Sequence, residues 1–342
     1  MTQVASSPLA AVRDRQRALT CSRSDDRAAA SMVAAISAAT ARAYADAEKY
    51  AAAATPVVVV GETGTGKSYL ARHIHRCGPR SAAPFVERTA AEIVDGLAAA
   101  QLFGYERGAF TGALERTEGL FAEADCGTLL LDDLHRMSHA VQSQLLRALS
   151  SGFYRPMRAV RDHPVRCRLI VAITECPDQL MAKDVLLPDL RYRLGRCVVR
   201  MPPLAERREE IGPFAEVFLR RCPTDTGLEG GPTRFAPDVV SYLERVSWPG
   251  NLRDLKGAVE HAYLQGQRDS EVRLDHFDDG VLCQLRGPAF RRHGDADANR
   301  RAVELALQAS GGSHVAAARR LGVNRHTVRR YAVADAPLPA AP

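Results

Sequence analysis

No two of the eight cysteines in this 342-residue chain form a C-x-x-C pair, and no His/Cys cluster shows metal-ligand spacing. That argues against a zinc ribbon or a disulfide scaffold and points to reduced thiols. No apolar run approaches the ~20 residues that cross a bilayer, so no membrane helix is expected. The N-terminus lacks a basic stretch followed by an apolar one, which argues against a secretory leader. A cytoplasmic protein with no membrane partner is the expectation. With 46% hydrophobic and 25% charged residues the composition is that of an ordinary globular protein. The length suits two or three compact units and leaves no room for a separate sensory domain ahead of the first strand.

The net charge of +6 is uneven. From Arg286 to Tyr331 ten arginines stand against Asp295, Asp297 and Glu304, so this segment carries the whole excess. A local basic surplus in a small segment points to nucleic acid.

What is present begins at Val57-Val58-Val59-Val60, a short β-branched run of the kind buried in parallel sheets. It leads directly into Gly61-Glu62-Thr63-Gly64-Thr65-Gly66-Lys67-Ser68, which satisfies G-x-x-x-x-G-K-[ST] at every fixed position. Glycines let successive amides point at the phosphates of a nucleotide, Lys67 adds positive charge, and the Ser68 hydroxyl can ligate Mg2+. The following helix turns its N-terminal dipole toward the same anion. The partner signal is Gly127-Thr128-Leu129-Leu130-Leu131-Asp132-Asp133. A buried strand ending in acids supplies one carboxylate for Mg2+ (Asp132) and one to polarise the attacking water (Asp133).

Between these two motifs lies Gly108-Ala109-Phe110-Thr111-Gly112-Ala113, uncharged, with two glycines, one aromatic and one hydroxyl. Such a stretch carries no core by itself, and flanking Arg107 and Glu115 suggest that it projects into water.

Strands expected at 84–86, 127–131, 167–173 and 197–201 alternate with helical segments. That pattern implies a parallel sheet between helices, with ligands at the carboxyl ends of the strands. Pro202-Pro203 marks a boundary, and Leu204 to about Leu285 reads as helical, with Trp248-Pro249-Gly250-Asn251 opening one helix. Near the end, Arg300–Ser310 is amphipathic and Gly311-Gly312 break it. His314–Leu321 and Arg325–Val333 then read as two helices joined by a tight turn at Gly322. A second helix bearing Arg325, His326, Arg329 and Arg330 fits a helix-turn-helix that contacts double-stranded DNA. The boundaries expected are a tail over 1–28, an α/β core over 29–202, a helical subdomain over 203–285, a linker over 286–299 and a DNA-binding unit over 300–342.

Taken together the chain resembles the AAA+ domain of sigma-54-dependent transcriptional activators, the bacterial enhancer-binding proteins. The resemblance runs from about Val57 to Tyr331 and includes Leu102-Phe103-Gly104-Tyr105-Glu106-Arg107, Gln144-Leu145-Leu146-Arg147-Ala148-Leu149, the run from Pro202 to Ile211, and Trp248 to Leu255. It implies an α/β P-loop ATPase core with a small helical lid, ATP and Mg2+ as cofactors, and a homo- or hetero-hexamer. Gly108 to Ala113 would grip sigma-54 RNA polymerase, chiefly through Phe110 and Thr111, and the C-terminal unit would hold an upstream DNA site. Arg253 matches the lid arginine that senses phosphate within one subunit. Arg193 matches an arginine offered to the neighbouring subunit. Four positions depart from the pattern: Asp133 stands where glutamate is usual, and Thr89 and Glu175 replace asparagines. Leu187 takes the place of the outer interface arginine. Nucleotide binding is expected to survive these changes, with hydrolysis the function at risk.

Overall fold

The apolar runs at 57–60, 129–131 and 169–173 show no alternation, because each strand is covered on both faces. The computed structural model describes residues 37–278, 281, 300, 303–304, 306–307, 313–321 and 325–332. The expected tail over 1–28 and linker over 286–299 lie outside the described residues.

Helix α1 (Ala38–Ala51) is capped by Ser37, whose Oγ accepts from the Thr40 amide at 3.2 Å. Strand β1 (Val57–Val60), helix α2 (Lys67–Cys77) and strand β2 (Phe85–Thr89) follow. Helix α3 (Ala98–Phe103) leads to a small hairpin of β3 (Gly104–Tyr105) and β4 (Thr117–Glu118), then to α4 (Leu120–Glu123) and β5 (Thr128–Asp132). Helix α5 (His139–Ser151) is followed by a second hairpin, β6 (Phe153–Tyr154) and β7 (His163–Pro164). Strand β8 (Arg168–Ile173), helices α6 (Pro177–Ala182) and α7 (Pro188–Leu194), and strand β9 (Val198–Arg200) complete the core.

The five long strands form one parallel sheet in the order β2-β5-β8-β1-β9. All five were legible as strands. The two hairpins were not, since two-residue strands leave no periodic signal. Alternate residues face two separate cores. Val58, Leu129, Leu131, Val171 and Ile173 pack with Leu145 and Leu149 of α5. Val57, Val59, Leu130, Ile170 and Ala172 pack with Ala43 and Ala47 of α1 and Leu70 and Ile74 of α2. Buried Arg168 ends α1: its Nη1 donates to the Ala51 carbonyl at 2.7 Å and its Nη2 to that of Tyr50. A cation at a helix C-terminus satisfies carbonyls the helix cannot.

The chain divides into two compact units. The first takes residues through Phe214 together with Trp248–Leu255; the second takes Ala215–Ser247 and Lys256 onward. The sheet unit thus includes the segment that starts at Trp248. In the stretch expected to be helical, α8 (Ile211–Thr226), α9 (Val239–Leu243) and α10 (Asn251–Gln265) form. A short parallel pair also forms in this stretch, β10 (Arg234–Phe235) ahead of α9 with β11 (Glu271–Val272) after α10. Gly230-Gly231-Pro232 forbids helix ahead of β10, which explains that difference. In the second unit Lys256 Nζ meets Asp225 at 2.8 Å and Tyr263 Oη donates to the Leu228 carbonyl at 2.6 Å.

Helices α11 (His314–Leu321) and α12 (Arg325–Ala332) form at the C-terminal end. Val303, Ala306, Ala317, Ala318 and Val328 bury a small core of their own. No described helix is long and apolar enough to cross a membrane.

Candidate nucleotide site

The loop from Gly61 to Ser68 leaves the carboxyl end of β1 and enters α2, the place where open parallel sheets bind ligands. Gly66 precedes the helix at φ 101°, a left-handed conformation that L side chains rarely adopt. At Gly64 even a methyl is impossible, since a Cβ would lie 2.1 Å from the Gly250 carbonyl oxygen. Thr65 Oγ1 closes the turn on the Glu62 carbonyl at 2.8 Å. Buried Lys67 donates to the carbonyls of Gly61 and Glu62 at 2.9 and 3.1 Å. Burial pulls its ammonium below the ordinary lysine value, while Asp132 and Asp133 pull it back. Glu62 and Thr63 are exposed on the loop's outer edge, and Ser68 is half-buried in the first turn.

Asp132 ends β5, directly across from Thr89 of β2. Burial raises its carboxyl above the usual range, and the neighbouring Asp133 charge adds to this, with Lys67 opposing. Asp132 Oδ1 accepts from the Asp133 amide at 2.9 Å. Asp133 itself stands at φ 55° and ψ 37°. A non-glycine residue in this region costs on the order of 1 kcal/mol, and such residues gather at functional sites. Aspartate is among the few that tolerate it. Its Oδ2 lies 3.5 Å from Arg136 Nε. His135, two residues on, reaches Thr174 Oγ1 at 3.3 Å across the strand ends, and burial lowers its pKa. Glu175 turns away to an ion pair with Lys183.

Two polar residues that sequence reasoning missed tie the loop to the rest of its unit. Asn251, buried at φ 54°, donates from Nδ2 to Glu62 Oε2 at 3.1 Å and to the Thr63 carbonyl at 3.0 Å. Its Oδ1 accepts from the Leu204 amide at 2.7 Å. Arg207 is wholly buried and donates from Nη2 to the Thr65 carbonyl at 2.6 Å. Its Nη1 meets Glu210 Oε2 at 3.0 Å and Thr40 Oγ1 at 3.5 Å. The signal for Asn251 was the helix opening after Trp248-Pro249-Gly250. For Arg207 the only hint was an arginine three residues before a glutamate in a charged run, which reads as surface.

Arg253 lies beside the loop, its Cβ 3.1 Å from where a Gly64 side chain would start. Its charge also depresses the Lys67 pKa. Arg193 is placed differently. It donates to the Leu149 carbonyl and, with Leu146, Ser150, Asp189 and Tyr192, lines an open hollow of about 420 Å³. The structure thus brings Gly61 to Ser68, Asp132, Asp133 and Arg253 to one site and holds Arg193 in contacts outside it. Leu187 occupies the turn before α7, its amide donating to Gln142 Oε1 at 3.0 Å. Arg191 is held by Asp178 at 2.9 Å.

Residues 33–200 match the sigma-54 interaction domain, and residues 205–287 match the lid domain of AAA+ ATPases. The chain belongs to the sigma-54 interaction family. It is similar to the transcriptional regulatory protein ZraR of Klebsiella oxytoca, 37% identical over 282 residues, which cover 80% of this chain and 62% of that protein. Likewise it is 34% identical over 288 residues to the response regulator protein PilR of Pseudomonas aeruginosa, covering 82% and 64%. Among solved structures NtrX from Brucella abortus, in complex with ATP, aligns at a TM-score of 0.64 and 26% identity over 86% of this chain and 67% of that one. The chain spans 62% of the length of the first of these curated relatives. The AAA+ α/β fold and the helical lid are those expected.

The sigma-54 interaction domain here carries its hexapeptide between β3 and β4. Gly108 and Gly112 take φ of 78° and 100°, and the Gly108 amide closes the turn on the Ala113 carbonyl at 2.8 Å. Ala113 is buried, while Thr111 and Gly112 are exposed. Phe110 is only 36% exposed, because its ring packs edge-on against Tyr105 with centroids 5.0 Å apart. The second hairpin braces this one: the Glu106 amide donates to the Met157 carbonyl at 3.0 Å, and Arg158 donates to that of Gly108. Of the four expected DNA-contacting residues, Arg329 is exposed on α12. The side chains of Arg325, His326 and Arg330 lie outside the description.

Proposed function

We propose that the protein is an ATP-driven transcriptional activator that binds upstream DNA and remodels sigma-54 RNA polymerase. The observation that carries this reading is the uncharged hexapeptide, raised on a hairpin out of the same unit that holds the P-loop. The loop fits a nucleotide and its cation: no side chain can occupy Gly64, Lys67 is buried among loop carbonyls, and Asp132 faces it from the next strand but one. Amides of Gly64 to Ser68 and the Lys67 ammonium would hold the phosphates, with Ser68 and Asp132 holding Mg2+. The cation neutralises charge that develops as the terminal phosphoryl group is transferred. Asp133 would orient and deprotonate the attacking water, and Arg253 would contact phosphate within the subunit. Arg193 would serve a neighbouring subunit of a hexamer.

A second reading is an ATP-binding, weakly hydrolysing subunit of a hetero-oligomer with a catalytic relative. Asp133 is drawn to Arg136 and Glu175 to Lys183, so neither carboxylate is free at the strand ends. Steady-state ATP hydrolysis across a protein-concentration series, with Lys67→Ala as blank, separates the two. A rate per subunit that climbs cooperatively supports the self-sufficient ring. A rate at the blank's level, with nucleotide still bound, establishes the helper.

The grip has its own test. Thr111→Ala is expected to abolish open-complex formation on a sigma-54 promoter while ATP binding stays within about twofold, because Thr111 is exposed and supports no core. Retained transcription would remove the hexapeptide from the mechanism.

A further inference from the structure

Helix α2 carries Lys67 and Ser68 at one end and His73 and Cys77 near the other. Residues four apart share a helical face, and here that face meets Glu48 of α1. His73 Nε2 lies 3.0 Å from Glu48 Oε1 and 3.5 Å from Cys77 Sγ, and the three ligand atoms all fall within 4.8 Å of one another. Tyr44 of α1 packs its ring edge-on to His73 at 4.8 Å and fixes the imidazole between the helices. In the sequence only the pair His73-x-x-x-Cys77 is visible, and two ligands do not mark a site; Glu48 is distant along the chain. Only the packing of α1 on α2 completes the set.

The two edges at His73, 3.0 and 3.5 Å, are close to those of a metal tetrahedron, and a small rotation of the exposed Glu48 side chain closes the third. Zinc bonds of about 2.0 Å to nitrogen or oxygen and 2.3 Å to sulfur give edges of about 3.3 Å between N and O and about 3.5 Å between N and S. We propose that Glu48, His73 and Cys77 form a zinc site that staples α1 to the far end of the P-loop helix. Thiolate, imidazole and carboxylate together select zinc over Mg2+. Three protein ligands leave the fourth position to water. Binding releases the Cys77 thiol proton, and the neutral imidazole of His73 ligates through Nε2 with its one proton on Nδ1. Because α1 also reaches the P-loop through Thr40 and Arg207, the ion would secure both helices that frame the loop.

The test uses the purified full chain and Co2+ as a spectroscopic probe, with Zn2+ in competition. One equivalent of Co2+ should produce tetrahedral d–d bands and a thiolate charge-transfer band, both displaced by Zn2+. Cys77→Ser and His73→Ala should each weaken binding at least about tenfold, the lower bound for disturbing a ligand set. Cys126→Ser and Cys176→Ser, at the other two exposed described cysteines, should leave it unchanged. Zn2+ should also raise the unfolding midpoint of the unaltered chain and not that of Cys77→Ser. Should either variant fail to fold, Glu48→Gln at an exposed position carries the comparison. Absence of the charge-transfer band, or an affinity indifferent to Cys77→Ser, overturns the proposal.

Discussion

Replacing Arg207 by alanine is expected to destabilise the P-loop unit by about 3–5 kcal/mol, as removal of one partner from a buried ion pair does. The Glu210 carboxylate would remain fully buried without its cation, and the Thr65 carbonyl would lose its donor. Both penalties fall on the loop that would hold the phosphates, so stability and nucleotide affinity should fall together. The ion pair itself is not the source of a large net gain. Desolvation already pulls the Arg207 guanidinium below its ordinary pKa and lifts the Glu210 carboxyl. Arg207→Met combined with Glu210→Leu should therefore recover most of the stability, since hydrophobic replacement of a buried pair is often neutral or stabilising. Affinity should stay low in that double variant, because methionine cannot donate to Thr65. Urea unfolding and nucleotide titration of the three proteins check this. A loss below about 1 kcal/mol in Arg207→Ala, the scale of an ordinary surface pair, would refute the structural role.

Much of the site could be read without coordinates, for identifiable reasons. Val57 to Val60 and Leu129 to Leu131 are buried on both faces, so their composition alone marks them as central strands. Gly61 to Ser68 is legible because phosphate binding by backbone amides imposes glycines at fixed spacing. The contacts that hold the site together follow no local rule. Asn251 meets Glu62, Arg207 meets Thr65, and His73 meets Glu48 only once the elements pack. A charged residue in a charged run reads as solvated, and Arg207 shows how that inference fails when one guanidinium can satisfy a carboxylate, a hydroxyl and a carbonyl. Phe110 is a milder case. An aromatic between glycines reads as fully projecting, yet Tyr105 lies close enough to cover part of its ring. Backbone strain is equally silent: nothing in Leu131-Asp132-Asp133-Leu134 announces that Asp133 turns left-handed.

That turn decides how the hydrolysis step is best tested. Asp133→Asn keeps the size of the side chain, and asparagine tolerates the left-handed region as well as aspartate. The backbone at the end of β5 should stay in place, as should the carboxylate of Asp132. What is lost is the ability to take a proton. Hydrolysis should fall about 10²–10⁴-fold, the range for removal of a positioned general base, while nucleotide affinity changes little. Asp133→Glu addresses reach instead. The added methylene extends the carboxylate by about 1 Å, a displacement worth up to ~10²-fold in rate, and draws it away from Arg136. A bulkier side chain at positive φ opposes part of this gain. A faster Glu variant alongside a dead Asn variant would identify Asp133 as a base held short of its best position. An Asn variant that turns over ATP as fast as the unaltered chain would show that the proton leaves by another route, with His135 next to be replaced.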